Sequence, residues 1–359
     1  MEKGKKYSDQ FGSSEKGTPR DIYDRMFKAG ISLSKKSVIL FINGLFGTDY
    51  PVDSEVTYNW TEFVGKKDLG KVLADTIITI NQMDGYHMEV QLKGENVILR
   101  MLEYGFRQSL RGVKEVKNPE TGEEEYAIQY PRQMIIYLDK ADKIPDEYPV
   151  RISFQGEGSY TYKIPVLHFQ EKSISEIQKE HLYILLPFKL LSMRHEMEKA
   201  ENRTEERINQ LIHIYRDDIL SIISQAYESG DLEVDDWFAL KNMTHRLTEH
   251  LYRKYADIWK EVGPVHDESL ELECNKYIRE MEKLREEYKE VREAVSENKK
   301  ELEESKKELD ESKKELAENK KELAENKKEL AEKEETVKRL ADENRRLKEQ
   351  LEALKGSKN

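Results

Sequence analysis

Hydrophobic and polar residues follow three successive patterns along this chain. Over residues 18–190, apolar runs at helical spacing are mixed with segments rich in β-branched and aromatic residues, which predicts a mixed α/β domain. Over residues 191–263 the apolar positions are helical only, which predicts a helical subdomain packed as a layer on that domain. A seven-residue repeat dominates residues 264–359 and predicts a long coiled coil. Residues 1–17 are polar, and we expect a disordered tail there.

The α/β region predicts a sheet with helical cover. Helices are predicted after Thr18-Pro19, over 35–47 and over 96–113, and strands over 56–64, 72–80, 86–92, 134–138, 150–154 and 160–164. Met83-Asp84-Gly85 is predicted as a three-residue hairpin loop, with Gly85 in the left-handed conformation. His87, just after this loop, is expected to be an edge histidine. In the helical layer, Tyr215, Ile219 and Ile223 form an i,i+4 stripe that we assign to the core.

The heptad repeat keeps one register through the C-terminal region. The a positions are Leu302, Leu309, Leu316, Leu323, Leu330, Val337, Asn344 and Leu351, while Leu340, Leu347 and Leu354 occupy d in a terminal zipper at 337–354. Glutamates at g and lysines at e, together with Asn344 at a, favour a parallel homodimer in register. The d positions between 305 and 333 are polar, so a solvated single helix held by i,i+4 pairs is the alternative. Either form would extend roughly 135 Å over residues 266–355.

Composition and charge narrow the classes of function. The chain has 359 residues and a net charge of -12, and residues 1–265 and 266–359 are each acidic, so any contact with phosphates needs a local basic patch or a metal ion. The single cysteine, Cys274, excludes a disulfide framework and a cysteine-rich zinc site. No apolar run approaches the roughly 18 residues of a membrane span. We therefore expect a cytoplasmic protein with no membrane contact and no small-molecule cofactor.

Two carboxylates, Asp75 and Glu89, stand in apolar strands, where an ionised group needs a cation or hydrogen bonds. They are candidates for a Mg²⁺ site, because hard cations take oxygen ligands. Glu89, Gln91 and Lys93 project from one face of the third strand by the period-two rule. The predicted loop pairs Gln82 with Tyr86 and places Asp75 opposite Lys93, too far from Glu89 to share an ion unless a bulge intervenes.

The segments ADTIITIN (74–81), YHMEVQ (86–91) and NVILRMLEYGF (96–106) resemble the PD-(D/E)XK nucleases, in the transposase-like branch of recombination-promoting nucleases. YNWTEF (58–63), PRQMIIYLDK (131–140), YKIPVLHF (162–169) and LYILLPFKLLSMR (182–194) extend the resemblance from about Thr18 to at least Arg194. It implies a restriction-endonuclease-like mixed sheet with flanking helices.

The resemblance also implies a set of site residues. Asp75 and Glu89 match the family's metal-binding acids, with Mg²⁺ or Mn²⁺ as the cofactor and DNA as the partner. Gln91 stands where the signature usually has lysine, so it would position the attacking water by hydrogen bonding alone. Lys93, Arg100 and Tyr104 are possible supporting residues, the first two because they could supply the missing positive charge.

The expected function is therefore a magnesium-dependent DNA endonuclease that hydrolyses phosphodiester bonds and is dimerised by its coil. The alternative is a nuclease-derived, catalytically weak DNA-binding or scaffold protein that acts through the coil. The distribution of charge would distinguish these two functions. If the cations within residues 93–114 gather around Asp75 and Glu89, catalysis on DNA is favoured. If the two carboxylates lie in separate environments, the scaffold function is favoured.

Overall fold

The computed structural model describes residues 20–60, 76–92, 97–140 and 143–356; the tail expected over residues 1–17 lies outside this part of the chain. The helices are α1 (Arg20–Ile31), α2 (Lys35–Phe46), α3 (Ile98–Arg111), α4 (Ile174–Lys179), α5 (Arg194–Glu198), α6 (Glu205–His213), α7 (Ser221–Glu228), α8 (Val234–Tyr252) and α9 (Ala256–Gly356). The strands are β1 (Val56–Trp60), β2 (Thr76–Ile80), β3 (Asp84–Gln91), β4 (Lys114–Lys117), β5 (Glu124–Ala127), β6 (Arg132–Tyr137), β7 (Glu147–Phe154) and β8 (Gly158–His168).

Six of these strands form a mixed sheet in the order β1-β2-β3-β6-β8-β7. β1, β2 and β3 are successive antiparallel strands, β3 pairs in parallel with β6 and β6 with β8, and β7 closes the far edge antiparallel to β8. The chain passes from β3 to β6 by way of α3, because parallel neighbours need a crossover connection. The predicted mixed α/β domain, with its order of helix, hairpin, helix and strand, is confirmed.

A second hairpin, β4 with β5, interrupts the connection between α3 and β6 and was not predicted. Its residues are almost all exposed, and β5 reads Glu-Glu-Tyr-Ala. A strand with no buried face lacks the alternation of apolar and polar residues that marks strands in a sequence.

The predicted loop between β2 and β3 was wrong. Ile80 pairs with Asp84 and Ile78 with Tyr86, so the loop is 81–83, two residues earlier than expected. Asn81 and Gln82 take the left-handed conformations, with φ of 51° and 59°. At Gly85 the backbone instead approaches the neighbouring chain closely: a Cβ there would lie 3.1 Å from the Cβ of Pro131, just before strand β6.

The two faces of the central strands are covered by different layers. On one face Tyr86 and Met88 of β3 join a large core built with α1, α2, the 3-10 segment Tyr183–Met193 and α8. On the other face a smaller core lies beneath α3 and includes Met101, Ile135 and Tyr137. β3 is therefore an interior strand, paired on both sides and covered on both faces, and His87 on it is fully buried rather than at an edge.

The helices from Tyr183 onward include segments that depart from regular α-helix, among them the 3-10 turn Ala200–Asn202. Residues Tyr183–Met193 form a 3-10 segment that contains Pro187, a residue that cannot donate to the helix ladder. Ile214–Leu220 is π-helical. The stripe predicted there is confirmed as core, since Tyr215, Ile219 and Ile223 are all fully buried.

Asp236 of α8 caps the start of α2 from a distant part of the chain. Its carboxylate, almost fully buried, accepts hydrogen bonds from the Ser34 backbone N–H at 2.8 Å, the Ser34 hydroxyl at 2.5 Å and the Ser37 hydroxyl at 2.6 Å. These bonds satisfy donors at a helix N-terminus, where a negative charge is also favourable.

A buried polar network ties the first part of α9 to α8. Glu273 accepts from Lys241 Nζ at 2.8 Å and lies 2.7 Å from His245 Nε2, and the other ring nitrogen of His245 is 2.6 Å from the Tyr215 hydroxyl. Burial lowers the pKa of Lys241 and raises that of Tyr215. Each charge has a close partner, as burial demands.

The long helix α9 begins earlier than the composition suggested. We expected a boundary at Gly263-Pro264, but α9 starts at Ala256 and Pro264 lies inside it. The chain divides into two compact units, Met1–Met281 and Glu282–Asn359. From Leu302 onward the described apolar a and d residues, including Leu323 and Leu340, are more than half exposed.

Within the described ranges, no single helix is both long and apolar enough to span a membrane. Only α1 and α2 taken together meet that test, as a pair bent by 108°, and both contribute residues to the large core.

Asp236→Ala should lower the free energy of unfolding by about 2–3 kcal/mol, because it leaves buried donors of Ser34 and Ser37 without an acceptor. Urea unfolding followed by circular dichroism measures this. The neighbouring, exposed Asp235→Ala, which loses one exposed hydrogen bond from Tyr277, is the matched control and should cost under about 1 kcal/mol. Equal losses for the two variants would contradict the capping role.

Candidate functional site

A row of polar side chains lies on the α3 face of the interior strand β3. His87, Glu89 and Gln91 alternate with Met88 and Val90 and are 0%, 3% and 5% exposed. The period of two places all three on one face, as the sequence predicted for Glu89 and Gln91. A carboxylate at this depth is costly unless charged or hydrogen-bonded groups compensate it.

Glu89 is compensated from two directions. Arg100, on the first turn of α3, forms an ion pair through Nη2 with Oε1 of Glu89. Gln91, two residues along the same strand, donates from Nε2 to the same oxygen at 2.8 Å. The structure therefore brings together three of the predicted site residues, Glu89, Gln91 and Arg100.

The amide oxygen of Gln91 faces the opposite way from Glu89. Because the carboxylate only accepts hydrogen bonds, the amide nitrogen must point to it. Oε1 of Gln91 is then buried and meets no hydrogen-bond donor in the described part of the chain. Glu89 and Gln91 carry oxygen atoms, the ligand type that Mg²⁺ and Mn²⁺ prefer, but the Gln91 oxygen does not point toward the carboxylate.

Two predicted site residues, Asp75 and Lys93, lie outside the described residues. Across the ranges that are described, no group of three or more acidic, histidine or cysteine side chains could hold a metal ion.

His87 and Gln133 form the inner end of the polar row. Gln133 Nε2 lies 2.8 Å from Nδ1 of His87 and donates to the carbonyl of Met101 on α3 at 2.7 Å. Burial, with a smaller contribution from the positive charge of Arg100, lowers the pKa of His87 to about 3. The ring is therefore neutral at pH 7, and Arg100 faces one anion and no second cation in this row.

The remaining cations of α3 belong to its outer surface. Arg107 pairs with Glu103 at 2.6 Å, and its guanidinium lies 6.0 Å from the ring centre of the half-buried Tyr104. Arg111 and Lys114 are exposed. Among the described cations of residues 97–114, Arg100 is therefore the one that contacts Glu89.

Asp139 is a second buried carboxylate that the sequence reasoning did not single out. It lies two residues beyond the end of β6 and is 6% exposed, with His195 Nε2 at 3.0 Å and Arg194 Nη1 at 3.8 Å. Its position just beyond the carboxyl end of a parallel strand, where ligands of open α/β sheets bind, is the signal that could have identified it. It lies within PRQMIIYLDK, a segment quoted above for the family resemblance.

Comparison with protein-family models, with curated proteins and with solved structures found no match to this chain. The assignment of function therefore depends on the geometry of Glu89, Gln91 and Arg100 and on the sequence resemblance.

His87→Asn should weaken the acid sensitivity of folding. The folded-state pKa of about 3 lies below the ordinary 6.5, so between these values the unfolded chain binds the extra proton. Above about pH 6.5 this linkage leaves the free energy of unfolding unchanged. Below that pH the free energy of unfolding falls, and at pH 5 it is about 2 kcal/mol lower than at pH 7.

Urea unfolding at pH 7 and pH 5 measures the effect as a difference between wild type and variant. His87→Asn should lose about 2 kcal/mol less than wild type over this step. Equal losses would mean that His87 titrates normally in the folded protein. Between pH 7 and pH 8 the two proteins should keep a constant difference.

Proposed function

We propose that this protein is a metal-dependent DNA endonuclease of the recombination-promoting type, with its site at Glu89, Gln91 and Asp75. The observation that carries the proposal is the burial of Glu89 beside Gln91 on an interior strand, with Arg100 against them. Folded proteins rarely bury a carboxylate, or an amide oxygen that accepts no hydrogen bond, because removing either group from water costs free energy. Strongly desolvated polar groups of this kind are typical of functional sites.

Asp75 is included because of its place in the chain next to the paired strands β2 and β3. It directly precedes Thr76, and Thr76 pairs with Met88, the residue before Glu89. This register supports the proposal, whereas the predicted loop paired Glu89 with Thr79. Thr79 pairs with Gly85.

Each residue has a chemical role in this proposal. Asp75 and Glu89 would hold Mg²⁺ or Mn²⁺. The bound metal would lower the pKa of a water molecule and place positive charge near the scissile phosphate. Gln91 keeps its Nε2 on Glu89 and uses Oε1 to accept a hydrogen bond from the attacking water, which orients it. Arg100 supplies the positive charge that lysine provides elsewhere in the family, and its planar fork suits phosphate oxygens.

The proposed fold is restriction-endonuclease-like. The mixed sheet, with α3 on one face and α1, α2 and α8 on the other, supports it because helices flank both faces. The acidic strand β3 is followed directly by the helix that covers it, in the order the resemblance implies.

The second unit is proposed to form a parallel homodimeric coiled coil. Its heptad leucines are 51–60% exposed in the single chain, an apolar stripe far larger than isolated surface residues produce. Two copies would join two nuclease domains, so that two sites could cut two strands.

The alternative is a scaffold protein that binds through its coil and has lost catalysis. Two observations favour it: the net charge of -12, and the ion pairing of Arg107 with Glu103 away from Glu89. Plasmid cleavage separates the two functions.

Purified full-length protein with Mg²⁺ or Mn²⁺ should nick or linearise supercoiled plasmid, and EDTA should stop it. Asp75→Ala should reduce the rate at least about 100-fold, since a metal's charge stabilisation is worth several kcal/mol. Glu103→Gln, on the exposed side of α3, is the control and should cleave normally. A folded wild-type protein that leaves the plasmid intact with either metal would support the scaffold function.

Replacing Leu340 and Leu347 together with lysine should convert the protein from dimer to monomer, because both leucines occupy d in the terminal zipper. Light scattering coupled to size exclusion should show twice the chain mass of 42.3 kDa for wild type and one chain mass for the variant. Asp342→Lys adds a lysine at a solvent-facing position of the same turn and should remain dimeric. A monomeric wild type would favour the single-helix alternative.

A further inference from the structure

An open cavity of about 420 Å³ lies among the helices of the first unit. Its lining comes from the π-helical segment Ile214–Leu220, α7, α8 and the first part of α9. The volume falls in the range of about 300–1,000 Å³ that is usual for sites of small organic ligands. Trp237, Lys241 and Glu273, which are 1%, 6% and 7% exposed, contribute to this lining. A desolvated ion pair that borders an open cleft is a mark of functional sites.

Part of this lining has a rare backbone form. Ile214–Leu220 is π-helical over seven residues, and Arg216 and Leu220 of this segment line the cavity. π-Helical turns are uncommon in proteins and are found frequently at functional sites. The π-helical segment and the buried ion pair are independent features, and both belong to the same cavity.

The polar groups around Lys241 are mainly hydrogen-bond donors. In the described part of the chain, Lys241 Nζ donates to one acceptor, Oε1 of Glu273, although an ammonium group has three N–H bonds. The hydroxyl of Ser224 accepts from Trp237 Nε1 at 3.4 Å and so keeps its own hydrogen for a further acceptor. The other oxygen of Glu273 lies 2.7 Å from His245 Nε2. A ligand that fits here must therefore supply acceptor oxygens.

The end of the cavity at Lys241 is positively charged. Lys276 Nζ and Lys241 Nζ lie 5.4 and 5.1 Å from the centre of the Trp237 ring, so both ammonium groups are close to one indole. Burial lowers the pKa of Lys241, Glu273 opposes this shift, and the positive charge of Lys276 adds to it. Lys276 also lies 3.7 Å from Glu228, but these side chains are 39% and 65% exposed, and such pairs contribute little. Two cations and one buried anion therefore stand at this end.

The opposite end of the cavity is electrically balanced and more apolar. Arg216 and Glu268 line it and carry opposite charges. Glu268 and Lys276 are eight residues apart on α9, which separates them by about 12 Å along the helix. Leu220 and Leu272 also line the cavity. The cavity therefore suits a ligand with an anionic group at one end and an organic body.

We propose that this cavity binds a small organic phosphate, with the phosphate group at Lys241 and Lys276 and the organic body along α9 toward Leu272. A phosphate monoester brings about two negative charges at pH 7 and three acceptor oxygens. Lys241, Lys276 and the hydroxyl of Ser224 are three donor groups for these oxygens. A carboxylate would bring two oxygens and one charge, and would leave one donor group unmatched. The inference is independent of the proposed nuclease site, because none of these residues lies on the sheet.

The test is calorimetric titration with adenosine monophosphate of full-length protein that EDTA dialysis has freed of metal ions. Wild type should bind this probe, and adenosine, which lacks the phosphate, should bind at least about tenfold more weakly. Inorganic phosphate should also bind more weakly than the monophosphate, because it leaves the apolar lining uncovered. Binding of adenosine as tight as that of the monophosphate would contradict a phosphate site.

Lys276→Gln removes one of the two cations from a partly exposed position, so the fold should be kept, and it should weaken monophosphate binding about tenfold. Lys260→Gln is the matched control. Lys260 is an exposed lysine of the same helix, also 3.7 Å from a glutamate, and its loss should leave binding unchanged. Ser224→Ala removes a neutral donor and should weaken binding by a smaller factor, about threefold.

Two further results would overturn the proposal. One is that folded wild-type protein binds neither the monophosphate nor inorganic phosphate. The other is an equal effect of Lys276→Gln and Lys260→Gln, which would place any bound phosphate at another part of the surface. Neither result bears on plasmid cleavage, because cleavage is measured with metal ions and with variants of other residues.

Discussion

The constraint on which the domain's architecture depends is the burial of Glu89 on an interior strand. β3 is paired with β2 and β6 and covered by helices on both faces, so a carboxylate there has almost no contact with solvent. Two groups compensate the buried charge: Arg100, which the first turn of α3 brings to the carboxylate, and Gln91 on the same strand. Placing α3 in this way also covers the small core around Met101, so the ion pair and the packing of the helix support the same geometry.

The other layer is held by polar contacts of a different kind. Asp236 caps α2 from α8, and Glu273 joins Lys241 and His245 across α8 and the beginning of α9. In each case a buried charge is fully matched by donors, so it specifies which helices meet rather than leaving that to apolar contact alone. On β3, by contrast, Oε1 of Gln91 is buried and meets no hydrogen-bond donor in the described part of the chain.

The second unit obeys a different rule. Its leucines recur at seven-residue spacing and are exposed in the single chain, whereas the first unit buries a large apolar core. A helix of this kind gains little from its own side-chain pairs, which contribute only about 0.2–0.5 kcal/mol each. The proposed dimer would bury the stripe and would join two copies of the α/β domain.

Much of this was present in the sequence. Strand and helix patterns predicted the order of elements around the sheet, the Tyr215 stripe predicted core, and the period of two placed Glu89 and Gln91 on one face, because these signals are local. Tertiary structure decided the rest. The register of β2 on β3 followed from a turn in which Asn81 and Gln82, not Gly85, take the left-handed conformation. The burial of His87 depended on β6 pairing beside β3, and the partner of Glu89 depended on how α3 crosses the sheet, neither of which any local pattern encodes.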